Sequence, residues 1–525
     1  MTLEPSGPIR LMKLQRTPIA LLVASLLAGL VLSLYVGEGS SKPPNLVVIV
    51  VDTLRADAVR TQLGNSETPH IAELASHGVV FSRAFTHAPM TLPAHASLFS
   101  GLHPFQTGVY NNGQDVPDDL PLLAETLQEE GYQTAAVVSL ATLWPSANQL
   151  GIDRGFEVFD TGQLEVAPAE DASARLATVL DAMDPERPFF LFAHLSDPHE
   201  PYNEHAPWFE GSAQGSVAQA QLDGNDLGST PTSSMSYWEA DLVLGPGQHR
   251  FRLESSDSFK LRALDCSIDG VSIEPQWKQG QLLVPTSAVE IELNGPSTGS
   301  HTVHLRAWLN DTPSPAELRP RYASEVRAAD AAIGELIAEL KRRGQWEDTL
   351  VVLTADHGEA LGEHGVVGHV VNLFDELLAV PLIIRLPGDQ LDEGLVLESR
   401  GLVRHVDVLP TIHEALGLGL PEAHAGSSLF ASADRLLIAQ THPPEAPRSL
   451  LAMRDETYKM VYDPLADSFE LFRLGPDPLE LDNVYAHQGH LRISWELVLR
   501  RLASEVEPDV ERDALTQSKL TALGY

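Results

Sequence analysis

The feature of this sequence that most constrains its fold is a short apolar run that ends in an aspartate, and it occurs twice. NLVVIVVD spans residues 45–52, and TLVVLTAD spans residues 349–356. Runs of this length, rich in Val and Leu, are typical of strands that are buried on both faces of a parallel sheet. Ligands of open α/β sheets bind beyond the carboxyl ends of the strands, so Asp52 and Asp356 are predicted to converge there on one divalent cation.

The loop after the second run is crowded with side chains that bind metals. His357 follows Asp356 directly. Four further ionisable residues come soon after, namely Glu359, Glu363, His364 and His369. Interspersed glycines let this backbone turn tightly. An Asp-His pair alone also fits a loop aspartate that caps a turn beside an exposed histidine, but the crowding favours a metal site.

Length and charge exclude several classes of protein. A chain of 525 residues is too long for one simple core, so two or three domains are expected. The 72 acidic residues outnumber the 35 Lys and Arg, and the net charge of -37 argues against nucleic acid or anionic lipid as a partner. Cys266 is the only cysteine, which excludes an internal disulfide framework and a cysteine-rich metal site.

The amino terminus carries a membrane-targeting pattern. Arg10, Lys13 and Arg16 precede an uncharged apolar stretch at residues 17–37 that is long enough to cross a bilayer as a helix. The residues that follow, 36–39, form a poor cleavage site, which favours an uncleaved signal-anchor over a cleaved signal peptide. Both alternatives place the rest of the chain outside the cytoplasm, in the periplasm or at the cell surface, and the first anchors it in the inner membrane.

A threonine stands where a helix is predicted to begin. Pro93 predicts the first residue of a helix that ends near Gly101, so Thr91 lies just before the helix amino terminus. Free N–H groups at such a terminus favour an anion, and a hydroxyl beside a metal can act as a nucleophile. A simple helix cap is the alternative role of Thr91.

The other periodic segments fit an α/β sandwich with one interruption. Helices are predicted at 119–130, 323–343 and 406–416, and strands at 133–139, 189–195 and 380–386. Residues 211–312 instead begin like a linker and continue as alternating strands around Pro-Gly and Gly-Ser turns, which predicts an inserted all-β, sandwich-like module. The predicted parts are 1–42 (signal segment and linker), 43–210 and 313–420 (catalytic domain), 211–312 (inserted module) and 421–525 (C-terminal subdomain).

Five motifs occur in an order that is typical of one family. They are NLVVIVVDTLRAD (45–57), T-x-P-x-H before SLFSG (91–101), DPHEPY (197–202), TADHGEALGEHG (354–365) and VPLIIRLPG (380–388). Together they resemble the sulfatase family of the alkaline phosphatase superfamily, over residues 44–210 and 315–420. The resemblance implies an alkaline-phosphatase-like α/β sandwich with a central mostly parallel sheet and a small C-terminal α+β subdomain.

The resemblance also assigns roles to residues of this chain. Asp52, Asp356 and His357 match the metal ligands, and Thr91 matches the nucleophile, which also touches the metal. Since His357 adds a nitrogen ligand to the oxygens, Mn²⁺ and Zn²⁺ are as plausible as Ca²⁺. Three further residues match substrate-handling positions: Asn112 (sulfuryl or phosphoryl oxygens), His199 (leaving group) and His369 (substrate binding).

The chain departs from the family pattern at several positions. Typical sulfatases have C-x-P-x-R, or Ser for Cys, and oxidise the first residue to formylglycine. Thr91 is a secondary alcohol and cannot give an aldehyde, and His95 replaces the Arg. Thr53 stands where a second Asp ligand is common, which leaves the fourth ligand open. A second metal at Asp197, His199 or His364 is a further alternative.

Three functions are consistent with these residues. The first is a metal-dependent, sulfatase-like hydrolase of sulfate or phosphate esters or diesters, with Thr91 as nucleophile. The second is a membrane-anchored transferase of phospho-head groups, and the third is a non-catalytic protein that keeps the metal. The partner is a sulfated or phosphorylated small molecule, glycan or lipid, and the oligomeric state stays open.

Overall fold

The computed structural model describes most of the chain in separate ranges. These are residues 42–59, 67–145, 151–163, 166–200, 202, 217–223, 225–231, 236–244, 248–268, 271–272, 286–294, 301–311, 315–388, 397–431, 435–442, 449–487 and 489–505. The predicted signal segment, residues 1–42, lies outside them except for Lys42. Within these ranges, no helix is both long and apolar enough to span a bilayer.

The core is built on an eight-stranded sheet. In chain order its strands are β1 (Asn45–Val51), β2 (Val79–Phe81), β3 (Gln133–Val137), β4 (Val158–Asp160), β5 (Phe189–Leu195), β6 (Thr349–Thr354), β7 (Leu382–Arg385) and β8 (Leu397–Ser399). Their spatial order is β8-β2-β7-β6-β1-β5-β3-β4. Every residue of β1, β5 and β6 is buried, as expected for strands covered on both faces.

The sheet is mostly parallel, as predicted, with one exception. β1 lies between β6 and β5 and is parallel to both. β7 is antiparallel to β6 and to β2. β6 ends at the carboxyl edge of the sheet, and β7 begins at the same edge after a loop and short strands. An antiparallel connection of this kind needs no crossover helix. The central placement of β1 and β6 brings their ends, and the aspartates beyond them, together.

Nine helices lie in the described ranges. They are α1 (Pro69–Ser76), α2 (Thr91–Ser100), α3 (Pro104–Thr107), α4 (Leu123–Glu129), α5 (Ala169–Ala182), α6 (Pro315–Arg342), α7 (Asp375–Leu378), α8 (Val408–Leu416) and α9 (Gly489–Glu505). Short 3-10 turns occur at Ala56–Ala58, Ala141–Leu143, Glu363–Gly365, His405–Asp407 and Tyr485–His487.

Four helix starts differ from the prediction. α6 begins at Pro315 rather than at 323, and α8 begins at Val408 rather than at 406. The other two differences involve proline. α4 begins at Leu123 rather than at Asp119, because Pro121 disfavours a helical conformation at the residue before it. α2 begins at Thr91 rather than at Pro93. A proline is tolerated in the first helical turn, since the N–H that it lacks would have no partner inside the helix. Thr91 is therefore the first residue of α2.

The interrupting segment forms a separate antiparallel sheet. Its strands are Val217–Leu222, Asn225–Pro231, Ser236–Leu244, Gln248–Ile268, Val271–Ser272, Thr286–Asn294 and His301–Asp311. The strand Gln248–Ile268 pairs with four of the others, because its two halves have different neighbours. The module boundaries at 211 and 312 remain predictions.

Smaller strands complete the fold. Two short sheets contain Ala84–Phe85, Ala360–Leu361, Val367–Gly368, Ala379–Val380 and Val403–Arg404. The C-terminal region has a four-stranded antiparallel sheet made of Leu437–Thr441, Leu450–Arg454, Tyr458–Asp463 and Ser468–Arg473. α9 packs on this sheet through Leu499, which is fully buried.

A buried ion network joins the C-terminal sheet to α7. The ammonium of Lys459, which is fully buried, lies 3.0 Å from Asp375 and 2.8 Å from Glu480. Arg454 lies 2.6 Å from the same Asp375 carboxylate. Removing one partner of a buried ion pair typically costs about 3–5 kcal/mol, since the other charge stays buried without compensation. The network therefore fixes α7 against the C-terminal sheet.

Three buried histidines that are not among the predicted metal ligands should make the fold sensitive to mild acid. Burial lowers the pKa of His103 to about 4 and that of His405 to about 3, and it lowers the pKa of His87 well below 6.5. These groups stay neutral in the folded protein while the unfolded chain takes up protons, so stability falls as the pH drops from about 6.5 to about 4. The expected slope is about 1.4 kcal/mol per pH unit for each histidine, or about 4 kcal/mol for the three.

Urea unfolding of the purified protein at several pH values measures this slope. His103→Gln should lower it by about one third, because one titrating group is removed. His487→Gln, at an exposed histidine, is the matched control and should leave the slope unchanged. A free energy of unfolding that is constant between pH 6.5 and 4 would contradict the assignment.

Candidate metal centre and active site

The two aspartates that end the apolar runs meet at the carboxyl edge of the central sheet. Val50 of β1 pairs in parallel register with Thr354 of β6, so Asp52 and Asp356 leave neighbouring strands at the same level. One ligand atom each of Asp52, Asp356 and His357 lies within 4.8 Å of the other two. His357 Nε2 is 3.9 Å from Asp52 Oδ1 and 3.5 Å from Asp356 Oδ2.

Hydrogen bonds from the backbone orient these ligands. Asp356 Oδ1 accepts from the N–H of Thr53 at 3.1 Å and from that of His357 at 2.8 Å, which leaves Oδ2 towards the cluster. His357 Nδ1 donates to the carbonyl of Gly358 at 3.0 Å, so its Nε2 carries the lone pair. The hydroxyl of Thr53 donates to the carbonyl of Asp52 at 2.7 Å.

The cluster has the chemistry of a divalent cation site. Both carboxylate oxygens of Asp52, Oδ2 of Asp356 and Nε2 of His357 are buried without a hydrogen bond of good geometry. Burial raises the pKa of Asp52 well above its usual value, and the charge of Asp356 raises it further. Burial also acts to raise the pKa of Asp356, but His357, His95 and His194 together outweigh it, and the pKa is lowered. Two buried carboxylates that repel each other are stabilised by a cation, so the residues fit a metal ion.

Thr91 lies beside this cluster at the start of α2. Its side chain is fully buried, and the preceding Met90 has an extended backbone that directs the chain into the helix. The hydroxyl of Thr91 approaches Asp52 closely enough to lower the pKa of that carboxyl. The Thr91 hydroxyl therefore adjoins the group formed by Asp52, Asp356 and His357.

Asn112 holds the amino terminus of α2. Its Oδ1 accepts from the N–H of Leu92 at 2.8 Å, which fixes the orientation of the amide. Nδ2 of Asn112 is buried and has no hydrogen-bond partner. A buried amide donor beside a helix amino terminus is suited to bind an oxyanion.

Comparison with protein families identifies this arrangement. A family model described as Sulfatase matches residues 44–418. The chain belongs to the sulfatase family. Among curated relatives, choline-sulfatase of Rhizobium meliloti (strain 1021) is 27% identical over 466 residues, which cover 84% of this chain and 82% of the relative. Arylsulfatase K of Bos taurus is 23% identical over 502 residues, covering 87% of this chain and 81% of the relative.

Solved structures show the same fold for this sulfatase-family hydrolase. Phosphonate monoester hydrolase of Agrobacterium radiobacter superposes with a TM-score of 0.60 at 19% identity, covering 88% of this chain and 96% of that one. A structure in complex with D-glucosamine-2-N,6-O-disulfate superposes with a TM-score of 0.57 at 17% identity, covering 88% and 97% of the two chains. The predicted alkaline-phosphatase-like class is confirmed by these likenesses.

Two histidines predicted to handle substrate lie on the outer side of the cluster. The ring of His369 is 4.5 Å from that of His357 and 5.2 Å from that of His199, measured between ring centroids. His369 Nδ1 donates to Oε1 of Glu359 at 3.2 Å, so Glu359 fixes the tautomer of His369. Burial lowers the pKa of His199 to about 3, and its Nδ1 donates to the carbonyl of Glu200.

His95 lies one helical turn beyond Thr91, on the inner side of the cluster. Its Nδ1 donates to the carbonyl of Thr91 at 2.7 Å and lies 3.9 Å from Asp356 Oδ2. Its neighbour His194, whose Nε2 is 3.4 Å from Asp52 Oδ2, was not predicted from the sequence as a site residue. The signal was present: His194 is the only polar residue in the strand FFLFAHL, two positions before the site.

His364, one of the three residues of the alternative second site, contacts other side chains. His364 Nδ1 is 2.8 Å from Glu376, and its ring stacks on Phe374 at 3.7 Å between centroids. Within the described ranges, the groups with metal-ligand geometry contain neither Asp197, His199 nor His364. His364 instead helps to hold the loop against α7.

Proposed function

We propose that the protein is a metal-dependent hydrolase of singly charged esters, namely sulfate monoesters and phosphodiesters, with Thr91 as the nucleophile. The observation that carries the proposal is the buried Thr91 hydroxyl next to Asp52, at a helix start and beside a group of residues that fits a divalent ion. We further propose that the catalytic part lies outside the cytoplasm, in keeping with the amino-terminal sequence pattern.

The charge of the site supports a substrate with one negative charge. The residues that we assign to it are carboxylates, imidazoles, an amide and a hydroxyl. The guanidinium of Arg55, which is also buried, is held by Asp57 at 2.7 Å and Glu363 at 2.9 Å. These residues supply no unpaired positive charge. A doubly charged phosphate monoester would therefore enter a buried site that leaves more of its charge uncompensated than that of a singly charged ester.

The residues divide the reaction among them. A divalent ion, when bound by Asp52, Asp356 and His357, lowers the pKa of an adjacent hydroxyl and draws charge from ester oxygens. Thr91 attacks sulfur or phosphorus in line with the leaving oxygen. The N–H groups at the start of α2 and Nδ2 of Asn112 donate to the non-bridging oxygens. Water then displaces the group from Thr91: the bond from Thr91 to sulfur or phosphorus breaks, and His199, neutral after the first step, accepts the proton of the water.

His199 protonates the leaving oxygen in this scheme. In the resting protein its Nδ1 donates to a carbonyl, so Nε2 is the atom that takes up a proton. An anionic ester beside the ring favours the protonated form, which offsets the effect of burial on the pKa. His369, oriented by Glu359, binds the ester from the same side.

His199→Gln should slow turnover in a way that depends on the leaving group. For an alkyl ester the loss should be about 10²–10⁴-fold, because the leaving alkoxide needs a proton. For a 4-nitrophenyl ester it should be less than about tenfold, since nitrophenolate leaves without protonation. Rates of the wild type and the variant on the two esters measure this. An equal loss on both would assign His199 to binding rather than to proton transfer.

A substrate panel tests the proposed function itself. Aryl sulfate, bis-aryl phosphate, aryl phosphate and aryl phosphonate esters are assayed with Mn²⁺, Zn²⁺ or Ca²⁺ added to the chelator-treated protein. Sulfate or diester turnover should exceed phosphate monoester turnover by at least about tenfold, the effect of one uncompensated charge at about 1.4 kcal/mol. No turnover with any ion, or transfer to an added alcohol in place of water, would refute hydrolysis.

A further inference from the structure

A second group of ligand atoms lies directly behind the first. One nitrogen each of His95 and His194 and one carboxylate oxygen of Asp356 lie within 4.8 Å of one another, and all three residues are buried. Asp52 Oδ2 adjoins this group, 3.4 Å from His194 Nε2. Ligands of a tetrahedral Zn²⁺ at about 2.0–2.1 Å are separated by about 3.3–3.5 Å, which is the spacing of His194 Nε2 and Asp52 Oδ2. Inside the group, His95 Nδ1 lies 3.9 Å from Asp356 Oδ2.

Three ring nitrogens of this group make no hydrogen bond to the residues that the structure describes. His95 Nε2 and both ring nitrogens of His194 are buried without hydrogen bonds. His95 is held by its other nitrogen, Nδ1, so Nε2 carries a lone pair. A buried polar atom that makes no hydrogen bond costs about 1–3 kcal/mol. The surroundings are otherwise apolar, since Phe192 lies 5.6 Å from His95 and 6.1 Å from His194, measured between ring centroids.

The two groups differ in their histidines. Neither His95 nor His194 belongs to the first group of ligands, whose imidazole is that of His357. The two groups share Asp356, whose carboxylate can bridge two ions as carboxylates do in two-metal enzymes.

The charge balance of the reaction also calls for a second cation, an argument that rests on the proposed function. Two carboxylates and one divalent ion are neutral together. A deprotonated Thr91 and a singly charged ester then add two negative charges in a buried site. A second divalent ion restores neutrality, whereas a water molecule in the same position would satisfy the imidazoles without changing the charge.

We propose that His95, His194 and Asp356 bind a second divalent transition-metal ion, so that the protein has a two-metal centre. Two imidazoles with a carboxylate favour Zn²⁺, Mn²⁺ or Co²⁺ over Ca²⁺ and Mg²⁺, which prefer oxygen ligands. His95 also joins this ion to the nucleophile, because its Nδ1 is bonded to the carbonyl of Thr91.

Metal stoichiometry tests the proposal. The chelator-treated protein is loaded with Zn²⁺ or Mn²⁺ alone, desalted, and analysed for metal and protein content. The wild type should bind two ions per chain, and His194→Phe and His95→Phe should bind one. Phenylalanine keeps the ring volume in an environment that already contains Phe99 and Phe192, which favours folding of both variants. With Mn²⁺, the wild type should give the spectrum of an exchange-coupled pair by electron paramagnetic resonance, and both variants that of isolated ions.

His413→Phe is the matched control. His413 is buried, and its Nε2 also has no hydrogen-bond partner, but it lies in α8 and outside both ligand groups. This variant should bind two ions. One ion in the wild type, or an uncoupled Mn²⁺ spectrum, overturns the second site whether or not the variants fold. So does the loss of both ions from a folded His194→Phe protein, which would assign His194 to the first ion. Failure of the proposed function is distinct: it leaves two ions bound and no turnover.

Discussion

Replacing Thr91 with alanine should reduce turnover by at least about 10⁴-fold, the size of loss seen when an enzyme loses its nucleophile. The hydroxyl is the only group of this side chain that can form a covalent intermediate, and the alanine side chain keeps the helix start. Metal content should stay near that of the wild type, because Asp52, Asp356 and His357 are unchanged. Rates on the best substrate of the panel, together with metal analysis, measure both effects.

Thr91→Ser separates the chemical role of this hydroxyl from a structural one. Serine retains an alcohol at the same position and loses one buried methyl group, which costs about 1 kcal/mol of stability. Its turnover should stay within about tenfold of the wild type. Mass spectrometry of rapidly quenched wild type should find the sulfuryl or phosphoryl group on the peptide that contains Thr91. Undiminished turnover in the alanine variant would show that Thr91 only begins the helix.

Asp52→Asn should abolish metal-dependent activity and, at the same time, stabilise the metal-free protein. The carboxylate is fully buried next to Asp356, and burial raises its pKa well above the usual value, so its charge is unfavourable without a cation. A neutral amide of the same shape removes this cost, which we expect to raise the free energy of unfolding by about 1–3 kcal/mol. Metal affinity should fall by more than about 100-fold, since mutation of a residue that only orients a metal ligand already lowers metal affinity by about 10–100-fold.

Thermal unfolding with and without metal measures both predicted effects of Asp52→Asn, the higher stability of the metal-free protein and the weaker metal binding. The wild type should gain stability on addition of Mn²⁺ or Zn²⁺ through preferential binding to the folded state, and the variant should gain much less. Asp119→Asn, at an exposed carboxylate, is the control and should respond to metal like the wild type. A variant that is destabilised in the absence of metal would mean that Asp52 is held by partners other than a cation.

Local patterns were sufficient to predict the sheet strands that carry the site. Phe189–Leu195 was predicted to the residue, and β1 and β6 were recognised because strands buried on both faces lack polar positions. The antiparallel course of β7 was not predicted, since three apolar residues followed by Arg385 have no feature that depends on the direction of the strand. The start of α4 was misplaced because the helical pattern extended across Pro121.

Residues at the ends of strands could be predicted as candidate ligands, whereas His194, inside a strand, could not. Asp52, Asp356 and His357 stand at strand ends, where position alone suggests ligands. His194 lies inside a strand, and its significance depends on the parallel register that sets it opposite Val50, a pairing between residues far apart in the chain. No periodicity in the sequence encodes that register. A polar residue in an apolar strand therefore marks an unusual position but does not show which residues it contacts.

The ion network between α7 and the C-terminal sheet has a consequence for the metal ligands. The N–H of Gly358, next to His357, donates to the carbonyl of Leu377 in α7 at 2.8 Å, and a Cβ on Gly358 would lie 2.1 Å from the carbonyl oxygen of Glu376. α7 is in turn held by Lys459 and Arg454 through Asp375. The C-terminal sheet therefore supports, through α7, the loop that carries His357. A transplant of this active site onto another scaffold would therefore need α7 and the C-terminal sheet that holds it.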